Sequence, residues 1–380
     1  MSRLPQARVG ELLRVRGLTV PYSLWPARKT TRWKLQRRLY VRDPWAILNE
    51  AVYRTKGIKV RDRDEALSYI EQAEEYFNAG IEGKRPAVKP VLLYYSMLNL
   101  AKCLIKVRKP SLDMSHAGHG LSVRHSTGWA VLGDRIAVKN SASRVNIFEH
   151  LNNELEGPSP GFGEVEVREL LPQIVVGHRL WTYASHKNEK FLSADMRCFV
   201  NPKKQRAWMQ LAFDRGEVHS IVSSVGHLIR DAHLPGKWRQ VQDDEDSLKE
   251  SDVLGQKVML EQKKTVKYSH RPSDCVQELF QQLRPALWYT VTSSKPHRAY
   301  YVFIDSHLGP KRLPQWAAMY ILFYYLSDLT RYRPQLFDRF LAIKYGPLIE
   351  NALDECPRQF LYLMASELLQ RDVAPAGIAV

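Results

Sequence analysis

The chain has 380 residues, of which 44% are hydrophobic and 25% are charged, and its formal net charge at pH 7 is +16. This composition excludes a disordered chain, and the four widely separated cysteines, which form no CxxC pair, argue against a disulfide framework and favour a reducing compartment. The start lacks the apolar core of a secretory signal and the longest apolar run, Ala317–Leu326, has ten residues, so we expect a cytoplasmic protein that does not enter a membrane.

The positive charge is concentrated in the first sixth of the chain. Residues 1–63 contain sixteen Lys and Arg against four Asp and Glu, so +12 of the net +16 lies there. Several of these cations alternate with aromatic residues, a mixture that suits phosphate contact and base stacking. We therefore predict a basic, aromatic N-terminal arm that binds nucleic acid; the alternative is a segment that docks its tryptophans on the core and leaves its arginines in solvent. The predicted nucleic-acid-binding residues are Arg28, Lys29, Arg32, Lys34, Arg37, Arg38 and Arg42.

Two helices are predicted after this arm. Residues 64–79 place apolar side chains at helical spacing, and Pro90 to Lys106 is the most apolar helix of the N-terminal half. Pro90 suits a first helical turn, and the short connection predicts that the two helices pair as an antiparallel hairpin. From Leu313 the chain becomes helical again, with a nearly all-apolar helix that ends at Arg333 and two or three helices after it.

Between these helical parts, the sequence changes to short strand and helix signals. Residues 196–201 and 207–213 alternate like two strands of a hairpin around a PKKQ turn. We therefore predict an α+β, predominantly helical protein, in which a helical bundle formed by the N- and C-terminal parts carries an inserted mixed α/β region. The predicted divisions are an arm at 1–63, a first helical part at 64–125, a mixed region at 126–305 and a second helical part at 306–380.

Four stretches carry a family resemblance: AEEYFNAG, PVLLYYSMLNLAKCLI, the HGL of residues 119–121, and LSDLTRYRPQLFDRF. They resemble the YaaC-like family over about residues 65–125 and 315–370. This resemblance implies a largely helical bacterial cytosolic protein of unassigned activity. The helix architecture also shows a looser likeness to the HEPN class, whose members include ribonucleases of defence and toxin systems.

A polar line runs along the apolar helix at 90–106, because polar residues recur there at steps of three and four. Asn99 and Lys102, with His119 from the following turn and Arg331 from the end of the late apolar helix, are predicted to line a cleft for a phosphate or carboxylate. The alternative is that Asn99 bonds to nearby backbone, Lys102 extends to the surface and Arg331 complements the dipole of a helix C-terminus.

Two further patterns would make the chain a nuclease. HEPN-type ribonucleases use a closely spaced arginine and histidine on a helix, and Arg144 and His150, with five residues between them, fit the loose form of that pair. Asp252 followed by Glu261 and Lys263 has the order of a metal-dependent nuclease core, in which the acids would hold Mg²⁺ and the lysine would orient water. Both patterns arise easily by chance in a chain with this many charges.

Apart from that Mg²⁺, the sequence predicts no cofactor and no metal, since His116, His119 and His125 lack the cysteine partners of a zinc site. The main hypothesis is a cytosolic nucleic-acid-interacting protein, a candidate component of a bacterial anti-phage defence system, whose arm contacts phosphates without reading sequence. The alternatives are a HEPN-like or metal-dependent nuclease, and a structural subunit whose arm binds an acidic partner protein. The apolar late helices also favour a homo-oligomer.

Overall fold

A computed structural model describes residues 4–15, 17–25, 38–83, 86–128, 130–139, 144–157, 162–242, 257–294, 298–305 and 312–377. Within these ranges the helices are α1 (Pro44–Arg54), α2 (Val60–Glu82), α3 (Lys89–Arg108), α4 (Ile147–Leu155), α5 (Val167–Leu170), α6 (His178–Ser185), α7 (Arg215–Ile221), α8 (Val225–Asp231), α9 (Val276–Leu283), α10 (Gln315–Tyr332), α11 (Pro334–Ala342) and α12 (Gly346–Leu369). The strands are β1 (Glu11–Leu12), β2 (Arg14–Val15), β3 (Leu18–Thr19), β4 (Leu39–Val41), β5 (Leu121–Arg124), β6 (Arg135–Val138), β7 (Glu164–Glu166), β8 (Phe191–Ser193), β9 (Asp195–Asn201), β10 (Arg206–Asp214), β11 (Trp238–Val241), β12 (Lys257–Gln262), β13 (Val266–Lys267), β14 (Leu287–Val291), β15 (Arg298–Phe303) and β16 (Val373–Pro375).

The centre of the helical part is α3, which packs against α2, α4, α10 and α12. Both α3 and α10 are apolar around most of their circumference, and a helix of that kind is stable only when neighbours cover it on several sides. The two helices meet as predicted, with the rings of Tyr94 and Tyr320 5.5 Å apart. Helix α3 is also long and apolar enough to cross a membrane by length and composition, but 72% of that window is buried inside the fold.

The predicted hairpin of α2 and α3 is present, but α2 is longer than the pattern at 64–79 indicates. Gly80 does not end the helix. A Cβ at that position would lie 2.7 Å from the side chain of Leu93, so the glycine allows α2 and α3 to approach closely. A glycine that follows the apolar pattern at 64–79 thus marks a packing contact and not a helix terminus.

The mixed region is built around a six-stranded antiparallel sheet. Its strand order is β1-β9-β10-β12-β11, and β13 also pairs with β10. The predicted hairpin is its centre, since β9 and β10 pair from Asn201 opposite Arg206 to Asp195 opposite Ala212. Two further three-stranded sheets are β14-β15-β8, whose first strand contacts α12, and β5-β6-β7, whose first strand contacts α10. The prediction of an α+β, predominantly helical fold is confirmed.

The described residues of the N-terminal segment belong to the packed fold. Strand β1 pairs with β9, and β4 pairs in parallel with β16 near the other end of the chain. Tyr22, Trp25 and Trp45 are buried, and the Tyr22 ring contacts Phe280 at 4.8 Å and Tyr300 at 5.0 Å. These aromatic side chains dock on the core, as in the alternative interpretation of the segment, and are not open to stack on bases.

Candidate functional site

A polar cleft of about 330 Å³ opens beside the hairpin of α2 and α3. The turn at residues 117–119 and the start of α4 close its remaining side. Three of the four residues predicted for an anion cleft, Asn99, Lys102 and His119, line this one space. The polar side chains and ring faces that the hairpin and the turn contribute are Gln72, Tyr76, Tyr95, Asn99, Lys102 and His119.

Lys102 is a partly buried cation whose amine lies 5.4 Å from the centre of the Tyr69 ring. Burial lowers the pKa of Lys102, and the charge of Glu65 opposes that shift. The carboxylate of Glu65 is held by other groups, since it accepts from the Tyr69 hydroxyl at 2.8 Å and pairs with Lys106 at 2.9 Å. Among the described residues, no carboxylate lies within 4.0 Å of the Lys102 amine, so an incoming anion would find this charge available.

His119 presents a neutral imidazole to the cleft. Its Nδ1 lies 2.9 Å from the Tyr94 hydroxyl, and its ring packs among the tyrosine rings of α3 and α10. Burial, together with the positive charges of Arg331 and Lys102, lowers the pKa of His119. At neutral pH this side chain therefore acts through hydrogen bonds and adds no positive charge.

The turn that carries His119 depends on a glycine. Gly120 has a φ of +83°, and a Cβ at that position would overlap Oδ1 of Asn146. Asn146 caps α4 by accepting from the Glu149 amide at 3.0 Å, and its own amide donates to the Lys139 carbonyl. The HGL sequence thus has a physical reason, because only glycine allows the turn to pass this close to the capping asparagine.

Arg331, the fourth predicted residue, does not line the cleft. Its guanidinium donates to the Ser327 carbonyl at 3.2 Å and lies 4.9 Å from the ring centre of Tyr332. The positive charge of Arg331 nevertheless contributes to the lowered pKa of His119. The residues that follow it, from Tyr332 to Leu336, line a separate hollow of about 420 Å³ in which Arg333 is the only charged side chain among the described lining residues.

The structure does not place Arg144 and His150 on one helix. Helix α4 begins at Ile147 behind its cap Asn146, so Arg144 precedes the helix and is exposed. His150 is partly buried, and burial and the charge of Lys109 lower its pKa. A HEPN-type pair needs both side chains on one helix, and that arrangement is not formed here.

The described residues of the metal-dependent pattern, Glu261 and Lys263, have structural roles. Asp252 lies outside the described residues, and Glu261 is fully buried. One Glu261 oxygen accepts from the Arg8 amide at 3.0 Å, and the other accepts from the Arg239 guanidinium at 2.7 Å. The backbone amide of Lys263 donates to the carbonyl of Lys237. Glu261 is therefore the centre of a structural ion-pair network, with its acceptor sites occupied by arginine.

The three histidines considered for zinc do not converge. His119 bonds to Tyr94, whereas His125 places Nδ1 3.0 Å from Asp134 and Nε2 3.0 Å from Asp328. In the part of the chain that the structure describes, no group of three or more His, Cys, Asp or Glu side chains is arranged to hold a metal ion.

The predicted nucleic-acid-binding residues of the arm divide into those outside and those inside the described part of the chain. Arg28, Lys29, Arg32, Lys34 and Arg37 lie outside the described residues. Arg42 is exposed, and Arg38 is partly buried.

The structure also assembles a basic surface that sequence reasoning missed. Seven exposed cations from separate stretches lie at one end of the six-stranded sheet, where the β9–β10 and β12–β13 turns meet the start of β11. We call this surface the basic end. Its residues are Lys203, Lys204, Arg206, Lys237, Lys263, Lys264 and Lys267.

Backbone pairing holds these cations together. Arg206 pairs with Lys267 across β10 and β13, and the Lys263 amide donates to the Lys237 carbonyl at 2.7 Å. None of the seven has an ion pair with another described residue, and Glu11 is the exposed acid on the adjacent strand β1. The available signal was the lysine pairs at strand ends, but strand register was needed to show that they share a surface.

The YaaC-like protein family model matches residues 24–368, nearly the whole chain. The resemblance seen at the two helical parts therefore continues through the mixed region. Comparison with curated proteins and with solved structures found no match.

Proposed function

We propose that this chain, which belongs to the YaaC-like protein family, is a cytosolic protein that binds the phosphate backbone of nucleic acid. The observation that carries the proposal is the basic end, where seven exposed cations have no ion pair with the described residues around them. Clustered lysines of this kind replace the counterions of a polyanion and so favour its binding.

The dimensions of the basic end suit a nucleic acid. Neighbouring strands lie about 4.8 Å apart, so the distance from β9 across β10 and β12 to β11 is roughly 14 Å. That length spans about four base-pair steps of duplex, at about 3.4 Å each along one strand. Several phosphates would therefore face the surface at once, and their contacts would add.

The chemistry of the basic end favours backbone contact over base recognition. Its exposed side chains are lysines and one arginine, and the exposed large apolar side chains of the described residues include no aromatic ring on these turns. Phosphate contacts fix position but carry no sequence information. The proposal is therefore binding with little sequence preference, to which the basic residues 26–37 would add further contacts.

Nuclease activity is not part of the proposal. Glu261 is enclosed by Arg8 and Arg239, and Arg144 lies outside the helix that carries His150. A cytoplasmic location is part of it and is supported by the four cysteines, which are all buried free thiols.

The test is binding of a labelled oligonucleotide of about 20 base pairs, measured by fluorescence anisotropy from about 50 to 300 mM salt. Removing four charges with Lys203→Gln, Lys204→Gln, Lys263→Gln and Lys264→Gln should weaken binding roughly 10- to 100-fold at low salt. The slope of log affinity against log salt should fall by about 3 to 4, close to one unit for each phosphate that the variant no longer neutralises.

A matched pair of double variants separates location from net charge. Lys263→Gln/Lys264→Gln removes two charges at the basic end, and Lys187→Gln/Lys257→Gln removes two charges elsewhere, with Lys257 at the opposite end of β12. Only the first pair should weaken binding strongly. Equal losses in both pairs, or affinity that does not respond to salt, would overturn the proposal.

A further inference from the structure

We propose that the cleft beside α2 and α3 binds a mononucleotide, with its phosphate at Lys102 and its base at Tyr76 and Tyr95. The cleft is a separate site from the basic end. Its volume of about 330 Å³ falls in the range of small-molecule pockets, about 300 to 1,000 Å³. A single nucleotide fits this scale, whereas a duplex does not.

The two helices arrange their side chains in three layers along the cleft. Because α2 and α3 run antiparallel, each step forward along α2 is matched by an equal step backward along α3. Three successive pairs of residues face each other in this way, and each pair has a different chemistry. The first pair is Tyr76 and Tyr95, whose ring centres are 5.6 Å apart. The second is Gln72 and Asn99, whose side-chain amides are joined by a hydrogen bond of 3.4 Å. The third is Tyr69 and Lys102, with the amine 5.4 Å from the ring centre. The cleft therefore changes from aromatic to amide to cationic.

The order of these layers matches the order of parts in a nucleotide. Residues 69 and 76 of α2 are seven positions apart, so the cationic and aromatic ends are separated by about 10 Å at 1.5 Å per residue. A base stacks on aromatic rings, amide side chains hydrogen-bond to base edges, and an ammonium group attracts phosphate. A ligand with a planar ring at one end and a phosphate at the other would satisfy all three layers.

The polar groups of the cleft are available to such a ligand. The amide of Asn99 is buried, and its bond to Gln72 is long, so both amides can exchange that contact for a ligand. His119 binds Tyr94 through Nδ1 only, and when the Tyr94 hydroxyl donates to Nδ1, the proton of the ring lies on Nε2. Nε2–H would then donate to the phosphate or the sugar.

The charges around the cleft favour an anion. Lys102 has no ion pair within the described residues, and the nearby Glu65 is held by Lys106 and Tyr69. Arg144 adds a second cation, which is exposed, at the rim, with its Cδ 4.0 Å from the place where a Cβ on Gly118 would lie. A bound phosphate would therefore pair with Lys102, a partly buried charge that has no ion pair among the described residues.

The experiment is isothermal titration calorimetry of the full chain with AMP, GMP, CMP and UMP, and with inorganic phosphate and the matching nucleosides as partial probes. At least one nucleotide should bind with a dissociation constant below about 1 mM, more tightly than either inorganic phosphate or its nucleoside. Phosphate that binds as tightly as every nucleotide would overturn the nucleotide assignment, and so would the absence of heat with all four nucleotides.

Variants then identify the contacts. Lys102→Met keeps the aliphatic length and should weaken nucleotide binding at least tenfold, about 1.4 kcal/mol, without changing nucleoside binding. Tyr95→Leu should weaken both ligands. Lys102→Arg, which retains the charge, should keep most of the affinity, and unchanged nucleoside binding in the methionine variant shows that its loss of nucleotide affinity is not loss of folding. Unchanged nucleotide affinity in Lys102→Met would overturn the proposal.

A charge-matched control separates this site from polynucleotide binding. Lys264→Met removes the same charge from the basic end and should leave mononucleotide affinity unchanged. Conversely, Lys102→Met should leave the salt dependence of oligonucleotide binding unchanged. The two proposals can therefore fail independently.

Discussion

Lys102 and Lys264 carry the same charge, but the fold gives them different surroundings. Lys264 belongs to a group of seven exposed cations on strand ends, each in contact with water. Lys102 is partly buried against the Tyr69 ring, and the other polar side chains that line the cleft are amides, tyrosines and a neutral imidazole. At the basic end, many charges attract a polyanion together, and at 0.1 M salt each attraction is screened over a distance of about 10 Å. In the cleft, one charge acts through its position.

The supports behind the two regions differ in the same way. Behind the basic end, the buried carboxylate of Glu261 holds Arg8 and Arg239 by electrostatic attraction. Behind the cleft, the turn of His119 is held by the close fit of Gly120 against Asn146. An exposed charged surface therefore needs only an approximate scaffold, whereas a small-ligand site needs backbone positions fixed to a fraction of an ångström.

The largest effect is expected when the buried anion behind the basic end is removed. Glu261→Ala leaves the guanidiniums of Arg8 and Arg239 without their shared partner. Breaking a buried ion pair in this way costs about 3–5 kcal/mol, and access of water to both arginines reduces the expected loss to about 2–4 kcal/mol. Urea denaturation of the variant measures that loss directly.

The matched control is Glu71→Ala, which removes an exposed glutamate from α2 and should change stability by no more than about 0.5 kcal/mol. EDTA should leave the wild-type unfolding curve unchanged, because Glu261 binds arginine. A loss below about 1 kcal/mol in Glu261→Ala, or destabilisation by EDTA, would contradict a structural role for this carboxylate.

The next effect is expected at the turn of the cleft. Gly120→Ala places a Cβ on Asn146 and forces a side chain into left-handed backbone, for an expected loss of roughly 2–3 kcal/mol of unfolding free energy. Gly57→Ala has nearly the same φ, +79°, with open space around its Cβ, and should cost about 1 kcal/mol. Urea denaturation compares the two.

The same variant tests whether the cleft and the basic end bind their ligands independently. Gly120→Ala should abolish mononucleotide binding, since His119 moves with the turn, while the basic end retains its salt-dependent affinity for oligonucleotides. If both ligands fail to bind a variant that remains folded by circular dichroism, the cleft and the basic end are not independent.

The sequence predicted the helical core and most of the cleft because both depend on local periodicity. Asn99 and Lys102 share a face of one helix, and His119 follows in the next turn, so short-range spacing placed them together. Arg331 was assigned to the same cleft because of its position at a helix end, but spacing does not determine where a long side chain points. Its guanidinium bonds to its own helix instead.

The basic end could not be predicted in this way, and the burial of the tryptophans is one of two interpretations that the sequence of residues 1–63 leaves open. Lys204 and Lys264 are sixty residues apart, and only the register of β10 with β13 brings their turns together. The composition of residues 1–63 is compatible with a solvated arm and with a docked segment, and in the structure Trp25 packs against Tyr289 and Trp45 against Phe77. Long-range strand pairing leaves no periodic signal in the sequence.

A smaller effect is expected from the hydroxyl that orients His119. Tyr94→Phe removes the group 2.9 Å from Nδ1 and keeps the ring contacts, so stability should fall by about 1 kcal/mol, the worth of one hydrogen bond. Mononucleotide affinity should fall about three- to tenfold, because the imidazole then lacks the hydrogen bond that fixes its tautomer and its ring orientation. Tyr53→Phe, at an exposed tyrosine, is the control and should change neither quantity. Unchanged affinity in Tyr94→Phe would mean that the ligand does not use His119.

The smallest effect is a difference in pH dependence between the two regions. Burial and the charges of Arg331 and Lys102 lower the pKa of His119 below its ordinary value of 6.5, so the imidazole is neutral above pH 6.5 and gains a proton only as pH falls through the lowered pKa. The added charge lies beside Lys102 and attracts phosphate, so nucleotide affinity should rise a few-fold at acidic pH and be constant from about pH 7 to 8. The basic end consists of lysines and one arginine, with no histidine among its seven residues, so oligonucleotide affinity should change little between pH 5 and 8. Because the nucleotide phosphate itself titrates near pH 6, the measured quantity is the ratio of nucleotide dissociation constants for His119→Gln and wild type, which cancels the ligand's own protonation. That ratio should increase below pH 6.5, and a ratio that stays constant down to pH 5 would show that His119 does not face the bound phosphate.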